Sequence, residues 1–188
     1  MKEKIIARCP WCGDDPLYVE YHDKEWGKPL HDDQKLFEFL LLESFQAGLS
    51  WITILRKREN FRKAFDNFDA RKVAKYGDEK IERLLLDSGI IRNRAKIEAA
   101  INNARIYLEI QKEYGSFDKY IWQFVDHKPI LNQRRELTDI PAITLEATQM
   151  SKTLKKRGFK FIGPTTCYAF MQATGMVNDH FVDCDFYN

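Results

Sequence analysis

The chain has 188 residues, of which 44% are hydrophobic and 31% are charged, and its formal net charge is +2 at pH 7. A chain of this length buries roughly 70% of its unfolded surface, so it needs no disulfide or metal in order to fold. The composition is that of an ordinary globular protein, and so small a charge does not by itself indicate nucleic-acid binding. We expect a single domain over residues 1–188.

No part of the sequence predicts a targeting or membrane segment. No apolar run approaches the ~18 residues of a membrane-spanning helix, and residues 5–7 are too few for the core of a signal peptide. We therefore expect a cytoplasmic protein without a membrane partner. In a reducing compartment the four cysteines are expected as thiols or metal ligands rather than as disulfides.

The segment before residue 30 is rich in aromatic residues and metal-ligand types. Asp15 followed by Pro16 is typical of the start of a short helix, and on that helix Tyr18 and Tyr21 share a face. The spacing Cys-Pro-Trp-Cys resembles a redox motif, but no βαβ pattern surrounds it. The candidate metal ligands of this segment are Cys9, Cys12 and His22.

A nearly continuous apolar stretch follows this segment. Its apolar residues between positions 36 and 45 lie all round the predicted helix, which indicates burial on every side. Glu43 lies deep in this run, where an unpaired carboxylate is costly. Two interpretations remain open: the carboxylate reaches solvent, or it has a structural partner or a ligand. Gly48 then predicts a tight turn that presents Leu49 and leads into a helix capped by Ser50.

The rest of the chain predicts an all-α fold. Asn60 is a candidate cap of a short helix, and residues 126–141 are predicted to form a loop. Pro164 opens a last helix that closes at Gly175. No stretch predicts a strand. Helical patterns cover residues 50–56, 80–86, 97–108, 117–124 and 145–157.

Basic residues follow the turn that joins two of these helices. Arg92, Arg94 and Lys96 fall within about the first turn of the second helix, where cations oppose the helix dipole. A bound phosphate would explain them, because the free backbone N–H groups attract the same anion. The alternative is a hairpin capped at Gly89 with solvated charges. A second basic run, which weakly favours a DNA-facing surface, comprises Lys152, Lys155, Lys156, Arg157 and Lys160.

Residues from the two ends of the chain are candidate zinc ligands. His180 and Cys184 lie four residues apart near the C-terminus. With Cys9 and His22 they would form a closed tetrahedral set, which is typical of structural zinc because no position is left for water. Cys12 competes with Cys9 for this role. The alternative is a group of small buried thiols and packed histidines.

Four aromatic residues could converge on the buried acid Glu43. Such a box would accept a flat, electron-poor ring and offer it a carboxylate. It would suit a cationic purine, since each ring contributes ~0.5–2 kcal/mol of cation–π attraction. The alternative is that each ring packs separately in the core. The four residues are Trp11, Tyr18, Tyr21 and Trp51.

Several long strings occur together in this sequence. They are DPLYVEYHDKEWGKP, LESFQAGLSWITILRKREN, GIIRNRAKI, LKKRGFKFIGPTTCYAFMQATG and VNDH with a cysteine four residues beyond the histidine. In this order they resemble the 3-methyladenine DNA glycosylase I family of the helix-hairpin-helix glycosylase superfamily. The resemblance implies a two-lobed helical fold, with a base pocket between the lobes and a zinc site that ties the terminal segments together. A second cysteine at Cys12 departs from the family's pattern.

The resemblance also implies roles for individual residues. One structural zinc ion is assigned to Cys9, His22, His180 and Cys184. The damaged base is placed against Glu43, and the pocket is lined by Trp11, Tyr18, Tyr21 and Trp51. Leu49, at the tip of the Gly48 turn, fills the space left by the extruded nucleotide. The hairpin residues on the DNA backbone are Gly89, Arg92, Arg94 and Lys96.

The implied activity is monofunctional excision of 3-methyladenine from double-stranded DNA in base excision repair. The base carries a positive charge, so it leaves without protonation once the nucleotide is extruded. Glu43 is then expected to bind and orient the base rather than to act as a strong base. Asp118 is a remote candidate for orienting the attacking water. We expect a monomer. The alternatives are a non-catalytic DNA-binding module and a zinc hydrolase, and the closed ligand set disfavours the latter.

Overall fold

The computed structural model describes residues 6–187, and its secondary structure is mostly helical, as the sequence predicts. Within these residues no helix is both long and apolar enough to cross a bilayer. In chain order the helices are α1 (Pro16–Lys24), α2 (Asp33–Gln46), α3 (Trp51–Ala64), α4 (Ala70–Val73), α5 (Asp78–Leu86), α6 (Arg94–Tyr114), α7 (Phe117–Ile121), α8 (Leu145–Lys156) and α9 (Pro164–Ala173).

Helix α2 lies at the centre of the molecule. Every residue from 36 to 45 is buried, which confirms the prediction of a helix without a solvent-facing side. Asp32 starts the helix by accepting a hydrogen bond from the Lys35 backbone N–H at 2.8 Å. Helices α3, α6, α7 and α9 pack around α2. The apolar sequence therefore sets the position of α2, and the other helices are arranged against it.

Three local predictions differ from the structure. Asn60 lies inside α3 and does not cap a separate helix, because α3 continues unbroken to Ala64. Ser50 occupies the position before α3, but its hydroxyl bonds the Thr53 hydroxyl at 2.7 Å instead of a backbone N–H. The predicted helix over 117–124 divides into α7 and a 3-10 helix at Trp122–Val125.

The prediction that the chain has no strand was wrong. Strand β1 (Ile130–Leu131) pairs in parallel with β2 (Val177–Asn178). Each strand has two residues, which is too short for an alternating pattern to be recognised in the sequence. The pairing attaches the predicted loop 126–141 to the C-terminal segment.

The N-terminal segment is joined to the end of α9. The Gly27 backbone N–H donates to the Gln172 carbonyl at 2.9 Å, and the Leu30 N–H donates to the Thr174 carbonyl at 3.0 Å. Gly175 has a φ of +67°, and a Cβ at this position would lie 2.1 Å from the Lys28 carbonyl carbon. Glycine is therefore required where these backbones cross. The crossing brings the two ends of the chain together.

Helices α5 and α6 form the predicted hairpin. Asn93 caps α6 by accepting a hydrogen bond from the Lys96 backbone N–H, so Arg92 lies in the turn rather than on the helix. The Gly89 N–H donates to the Asp87 carboxylate at 2.7 Å. A Cβ at Gly89 would lie 2.9–3.0 Å from side-chain atoms of Asp87 and Asn60. A small residue is needed there because the turn packs closely against α3.

Candidate functional site

The five residues predicted to form a box line one cavity. Its volume is about 330 Å³, and it lies between α1, the C-terminal end of α2, the start of α3, and α9. Glu43 and Tyr21 are buried, whereas Trp11 and Tyr18 are partly exposed. The structure thus excludes the alternative in which the rings pack in separate cores. The five residues are Trp11, Tyr18, Tyr21, Glu43 and Trp51.

Six further lining residues were missed by sequence reasoning. Gln46 lies three residues after Glu43 on α2, and this spacing could have placed it on the same face. Trp26 lies in the same aromatic-rich segment as the predicted residues. The other four come from distant parts of the chain, and no local signal joins them to the cavity; they are Leu137, Ile140, Ala169 and Gln172.

Glu43 is buried without a compensating partner. Its side chain is 3% exposed, and no hydrogen bond to its Oε2 atom is present within residues 6–187. Loss of hydration raises the pKa of the Glu43 carboxyl from 4.5 to about 8. The interpretation in which this carboxylate reaches bulk solvent is therefore wrong. A buried acceptor that faces a cavity is a feature of ligand sites.

The aromatic rings of the cavity wall pack against each other in edge-on or tilted orientations. The Trp11 ring centroid lies 5.0 Å from Tyr18 and 4.8 Å from Trp26, both in edge-on contact. The Tyr21 and Trp51 centroids are 5.5 Å apart. The indole N–H groups of Trp11 and Trp51 are buried and have no acceptor among the described residues. The cavity wall therefore combines flat apolar faces with polar atoms that lack partners.

The Gly48 turn lies beside the start of α6. Gly48 has a φ of +82°, and Leu49 is 40% exposed. The Lys96 ammonium donates to the Phe45 carbonyl at 2.8 Å and to the Ala47 carbonyl at 2.7 Å. These bonds satisfy carbonyls at the end of α2 that the helix leaves open. Lys96 therefore connects the hairpin helix to the turn that carries Leu49.

The structure does not gather the three predicted hairpin cations around one anion. Lys96 is 7% exposed and occupied by backbone carbonyls. Arg94 is exposed and pairs with Glu82 and, at 3.7 Å, with Glu98. Arg92 is exposed and pairs with no acid in the part of the chain that the structure describes. Of the three predicted cations, Arg92 and Arg94 present their charges to solvent, and Lys96 does not.

Two cysteines and two histidines meet beside the cavity. The Cys184 Sγ lies 3.6 Å from the His22 Nε2 and 3.5 Å from the His180 Nδ1, and the Cys9 Sγ lies 3.5 Å from the same His180 nitrogen. All four ligand atoms are buried and within 4.8 Å of one another. Cys12 lies outside this group, and its thiol donates to the Cys9 carbonyl at 3.2 Å. The geometry therefore favours Cys9 over Cys12.

The remaining ring nitrogens of the two histidines have partners of their own. The Nδ1 of His22 lies 2.7 Å from the Asp23 carboxylate, which also pairs with Arg8. The Nε2 of His180 lies 3.0 Å from the Trp26 carbonyl. These acceptors hold a proton on the outer nitrogens, so the inner nitrogens, His22 Nε2 and His180 Nδ1, are unprotonated and can act as acceptors. The His22 Nε2 accepts a 3.3 Å hydrogen bond from the Cys9 backbone N–H. Burial lowers the pKa of His180 to about 4, which keeps its ring neutral.

Asp118 does not line the cavity. It lies at the start of α7, where its carboxylate pairs with His31 at 2.8 Å. Its backbone N–H donates to Asp33 at 2.8 Å. These contacts fasten α7 to the start of α2, the end opposite Glu43. The structure gives no support to Asp118 as a group that orients water.

A sequence model described as "methyladenine glycosylase" matches residues 11–188 of this chain. The chain belongs to the methyladenine glycosylase family. Over 180 residues it is 54% identical to the DNA-3-methyladenine glycosylase of Haemophilus influenzae, and the match covers 96% of this chain and 97% of the relative. It is also 54% identical over 179 residues to DNA-3-methyladenine glycosylase 1 of Escherichia coli, with 95% and 96% of the two chains covered.

Solved structures of the methyladenine glycosylase family have the same fold. A crystal structure of 3-methyladenine DNA glycosylase I superposes with a TM-score of 0.93 at 51% identity, covering 95% of this chain and 98% of that one. A structure from Staphylococcus aureus that concerns recognition of 3-methyladenine by the same enzyme has a TM-score of 0.93 at 43% identity, with 96% of both chains covered. A variant of the enzyme was solved in complex with 3-methyladenine, and it matches with a TM-score of 0.93 at 42% identity over 96% of this chain and 97% of that one.

Replacement of Glu43 by glutamine is expected to change how stability depends on pH. The folded state keeps a proton on Glu43 that the unfolded state releases, so the free energy of unfolding falls as the pH rises from about 4.5 to about 8. Glu43→Gln removes this contribution, worth at most about 1.4 kcal/mol per pH unit. Urea unfolding between pH 5 and 8 should show that the free energy of unfolding of the variant, relative to that of the wild type, increases with each pH unit. The control is Glu109→Gln, at an exposed position on α6. If the free energy of unfolding has the same pH dependence in wild type and Glu43→Gln, burial does not raise the pKa of Glu43.

Replacement of Lys96 by methionine is expected to release the Gly48 turn. The change leaves two carbonyls without donors and should lower the free energy of unfolding by about 1–3 kcal/mol. Hydrogen exchange at the Gly48 and Leu49 amides should accelerate. Tyr107→Phe is the matched control, since it removes a 2.8 Å hydrogen bond from α6 to the Asp33 carbonyl at the other end of α2. If the Gly48 and Leu49 amides exchange at the same rates in Lys96→Met as in wild type, Lys96 does not hold the Gly48 turn.

Proposed function

We propose that this chain excises 3-methyladenine from double-stranded DNA by hydrolysing the N-glycosidic bond, as a step of base excision repair. The observation that carries the proposal is the unpartnered carboxylate of Glu43 in an aromatic cavity. Family membership and the relative solved with 3-methyladenine support it. Cavity, turn and hairpin all come from one chain, so a monomer suffices.

The charge of the base explains why the cavity contains an acid. Adenine methylated at N3 in DNA carries a positive charge, and a cation beside Glu43 favours its ionised form. Binding of the base therefore lowers the pKa of Glu43 from about 8 and restores the electrostatic energy lost by burial. A neutral base would leave the carboxyl protonated and gain no ion pair. The cavity thus selects by charge as well as by shape.

The reacting nucleotide has to leave the helix to reach this cavity. Leu49 is an exposed apolar side chain on a rigid turn that follows the helix of Glu43, which suits it to fill the gap in the base stack. The exposed side chains of Arg92 and Arg94 are available to the phosphates, whereas the Gly89 N–H is bonded to the Asp87 carboxylate. Lys96 holds the turn and the hairpin together from inside the protein.

The chemical step does not require the protein to act as a general acid. A cationic adenine departs as a neutral base, so no proton has to be delivered to it. The aromatic faces stabilise the cationic base through cation–π attraction, and Glu43 orients it by accepting hydrogen bonds from its edge. Within residues 6–187, no carboxylate other than Glu43 lines the cavity. We therefore assign Glu43 to binding and orientation.

A non-catalytic DNA-binding module is the alternative from another class. Such a module would use the hairpin and the basic residues but would have no use for a buried, unpartnered acid. Burial of a carboxylate lowers stability unless a ligand compensates for it. The cavity therefore favours the enzyme over the module.

Release of free 3-methyladenine from methylated duplex DNA tests the proposal. Wild type should release the base, and Glu43→Gln should reduce the single-turnover rate by roughly 10²-fold, the scale seen when one transition-state contact is removed. The exposed Glu109→Gln variant should retain the wild-type rate. Absence of release by folded wild type would refute the activity, and an unchanged rate in Glu43→Gln would remove Glu43 from the mechanism.

We also propose that the Cys/His cluster binds one structural zinc ion. Two thiols and two inward-facing imidazole nitrogens are the donor set that tetrahedral zinc prefers, and no position is left for water. In the protein without metal, burial raises the pKa of the Cys9 thiol to about 12, so a buried cation is the group that would stabilise its thiolate. Zinc in this position would fasten the two ends of the chain. It would supply no reacting group.

Metal analysis tests the zinc proposal. Protein purified without added zinc should contain about one equivalent per chain. Cys9→Ser should lose the metal and unfold at lower temperature, whereas Cys12→Ser should retain it, because the Cys12 thiol lies outside the cluster. Folded wild type without zinc would refute the site, and equal zinc loss in both variants would refute the choice of Cys9.

A further inference from the structure

The last turn of α9 carries a glutamine whose amide orientation is fixed by a buried acid. Gln172 lines the cavity and is partly exposed. Its Nε2 donates a 2.8 Å hydrogen bond to the Asp179 carboxylate. A carboxylate is an acceptor only, so the nitrogen of the amide, and not its oxygen, has to face Asp179. The amide oxygen, Oε1, therefore lies at the other end of the group.

Asp179 is completely buried, and each of its oxygens accepts two hydrogen bonds. Oδ1 accepts from the Asn132 side chain at 2.8 Å and from the Arg134 Nε at 2.9 Å. Oδ2 accepts from the Tyr168 hydroxyl as well as from Gln172. The guanidinium of Arg134 supplies the opposite charge that a buried carboxylate needs. Asp179 is therefore held in place as an acceptor, independently of any ligand.

The surroundings of Gln172 are fixed by the same contacts. Arg134 also donates to the Asp139 carbonyl at 2.8 Å, in the loop that carries Leu137 into the cavity wall. The backbone carbonyl of Gln172 accepts from the Gly27 N–H at 2.9 Å. Both the backbone and the amide of Gln172 are thus positioned before a base enters the cavity.

The amide oxygen of Gln172 has no partner of its own. Within residues 6–187 no hydrogen bond to this Oε1 is present, and the atom is accessible rather than buried. A polar atom left open in the wall of a cavity is available to orient a ligand. The cavity therefore offers an acceptor on α9, Gln172, in addition to Glu43 on α2.

An adenine methylated at N3 has one hydrogen-bond donor group. In DNA its N9 is bonded to the sugar, its N3 carries the methyl group, and N1 and N7 are acceptors. The two N–H bonds of the 6-amino group are therefore the only donors that acceptors in the cavity can use. A 6-oxopurine has an acceptor oxygen at this position, so its lone pairs would face the lone pairs of the Gln172 amide oxygen.

We propose that Asp179 orients the Gln172 amide so that its oxygen accepts a hydrogen bond from the 6-amino group of the bound base. This contact selects 6-aminopurines over 6-oxopurines, whereas Glu43 recognises the charge of the base. Gln172 then determines specificity, and Asp179 acts through it as a positioning residue. The inference rests on the proposed function.

Binding of free bases tests the hydrogen bond. Gln172→Met removes the acceptor and keeps the length of the side chain. Quenching of tryptophan fluorescence should show that wild type binds 3-methyladenine more tightly than 3-methylhypoxanthine, its 6-oxo counterpart. In Gln172→Met the affinity for 3-methyladenine should fall about tenfold, while the affinity for 3-methylhypoxanthine should not fall. The ratio of the two affinities is the readout, because a merely structural role of Gln172 would weaken binding of both bases.

Two variants test the role of Asp179. Tyr168→Phe is the matched control, since it removes the other donor to the same carboxylate oxygen and keeps the bond that orients Gln172. It should retain the wild-type ratio. Asp179→Asn should lose the ratio, because the new amide can donate to the Gln172 oxygen and turn it away from the base. Thermal unfolding establishes that each variant is folded, and Gln172→Met decides the hydrogen bond whether or not Asp179→Asn folds.

Three results overturn the inference: a wild-type ratio in Gln172→Met, a wild-type ratio in folded Asp179→Asn, or an equal loss of the ratio in Tyr168→Phe and Gln172→Met. Single-turnover release of the base from methylated duplex DNA separates this failure from that of the proposed function. If wild type excises 3-methyladenine and Gln172→Met keeps the wild-type ratio, only this inference fails. If folded wild type releases no base, the proposed function fails and the inference fails with it.

Discussion

The site depends on a carboxylate that the fold buries and leaves without a partner. The apolar residues of α2 leave the helix no solvent-facing side, so any acid on it must lose its hydration. Glu43 does so at a cavity wall, and its pKa rises to about 8. A positive charge that enters the cavity would recover this cost. In the proposed function, the stability lost by burial of Glu43 gives selectivity toward a cation, and the flat rings of Trp11 and Tyr18 in the cavity wall favour a planar one.

One helix connects the residue proposed to bind the base with the turn proposed to enter DNA. Glu43 lies on the last turn of α2, and the chain then passes directly to Gly48 and Leu49. The ammonium of Lys96 bridges this helix end to the start of α6 through two backbone carbonyls. In the proposed function, these two bonds fix the position of the hairpin relative to the turn that carries Leu49. This explains why a lysine that periodicity placed among the surface cations is buried: its charge neutralises helix-end carbonyls.

Local sequence patterns predicted the features that depend on neighbouring residues, namely the positions and starts of helices. The unbroken apolar run predicted α2, and the Asp15–Pro16 pair predicted the start of α1, where Asp15 accepts from the Leu17 N–H at 3.0 Å. Pairings between distant segments could not be predicted in this way. The two-residue strands have no period, and Ala169 and Gln172 reach the cavity only because α9 packs beside α2. The convergence of the aromatic rings on Glu43 was predicted from the resemblance to a family, because the spacing of these residues did not decide between one cavity and separate cores.

The cavity and the Cys/His cluster share a wall, and this limits what a metal there can do. The Trp26 carbonyl accepts from the His180 ring at 3.0 Å, while its indole lines the cavity and touches Trp11. Gly27 lets the backbone pass this histidine, since a Cβ there would lie 2.9 Å from the ring. Glu43 stands on α2, whose packing belongs to the main core, whereas Cys9 and Cys184 belong to a small separate cluster. Loss of the contacts in this cluster would therefore loosen the aromatic wall of the cavity before the helical core unfolds.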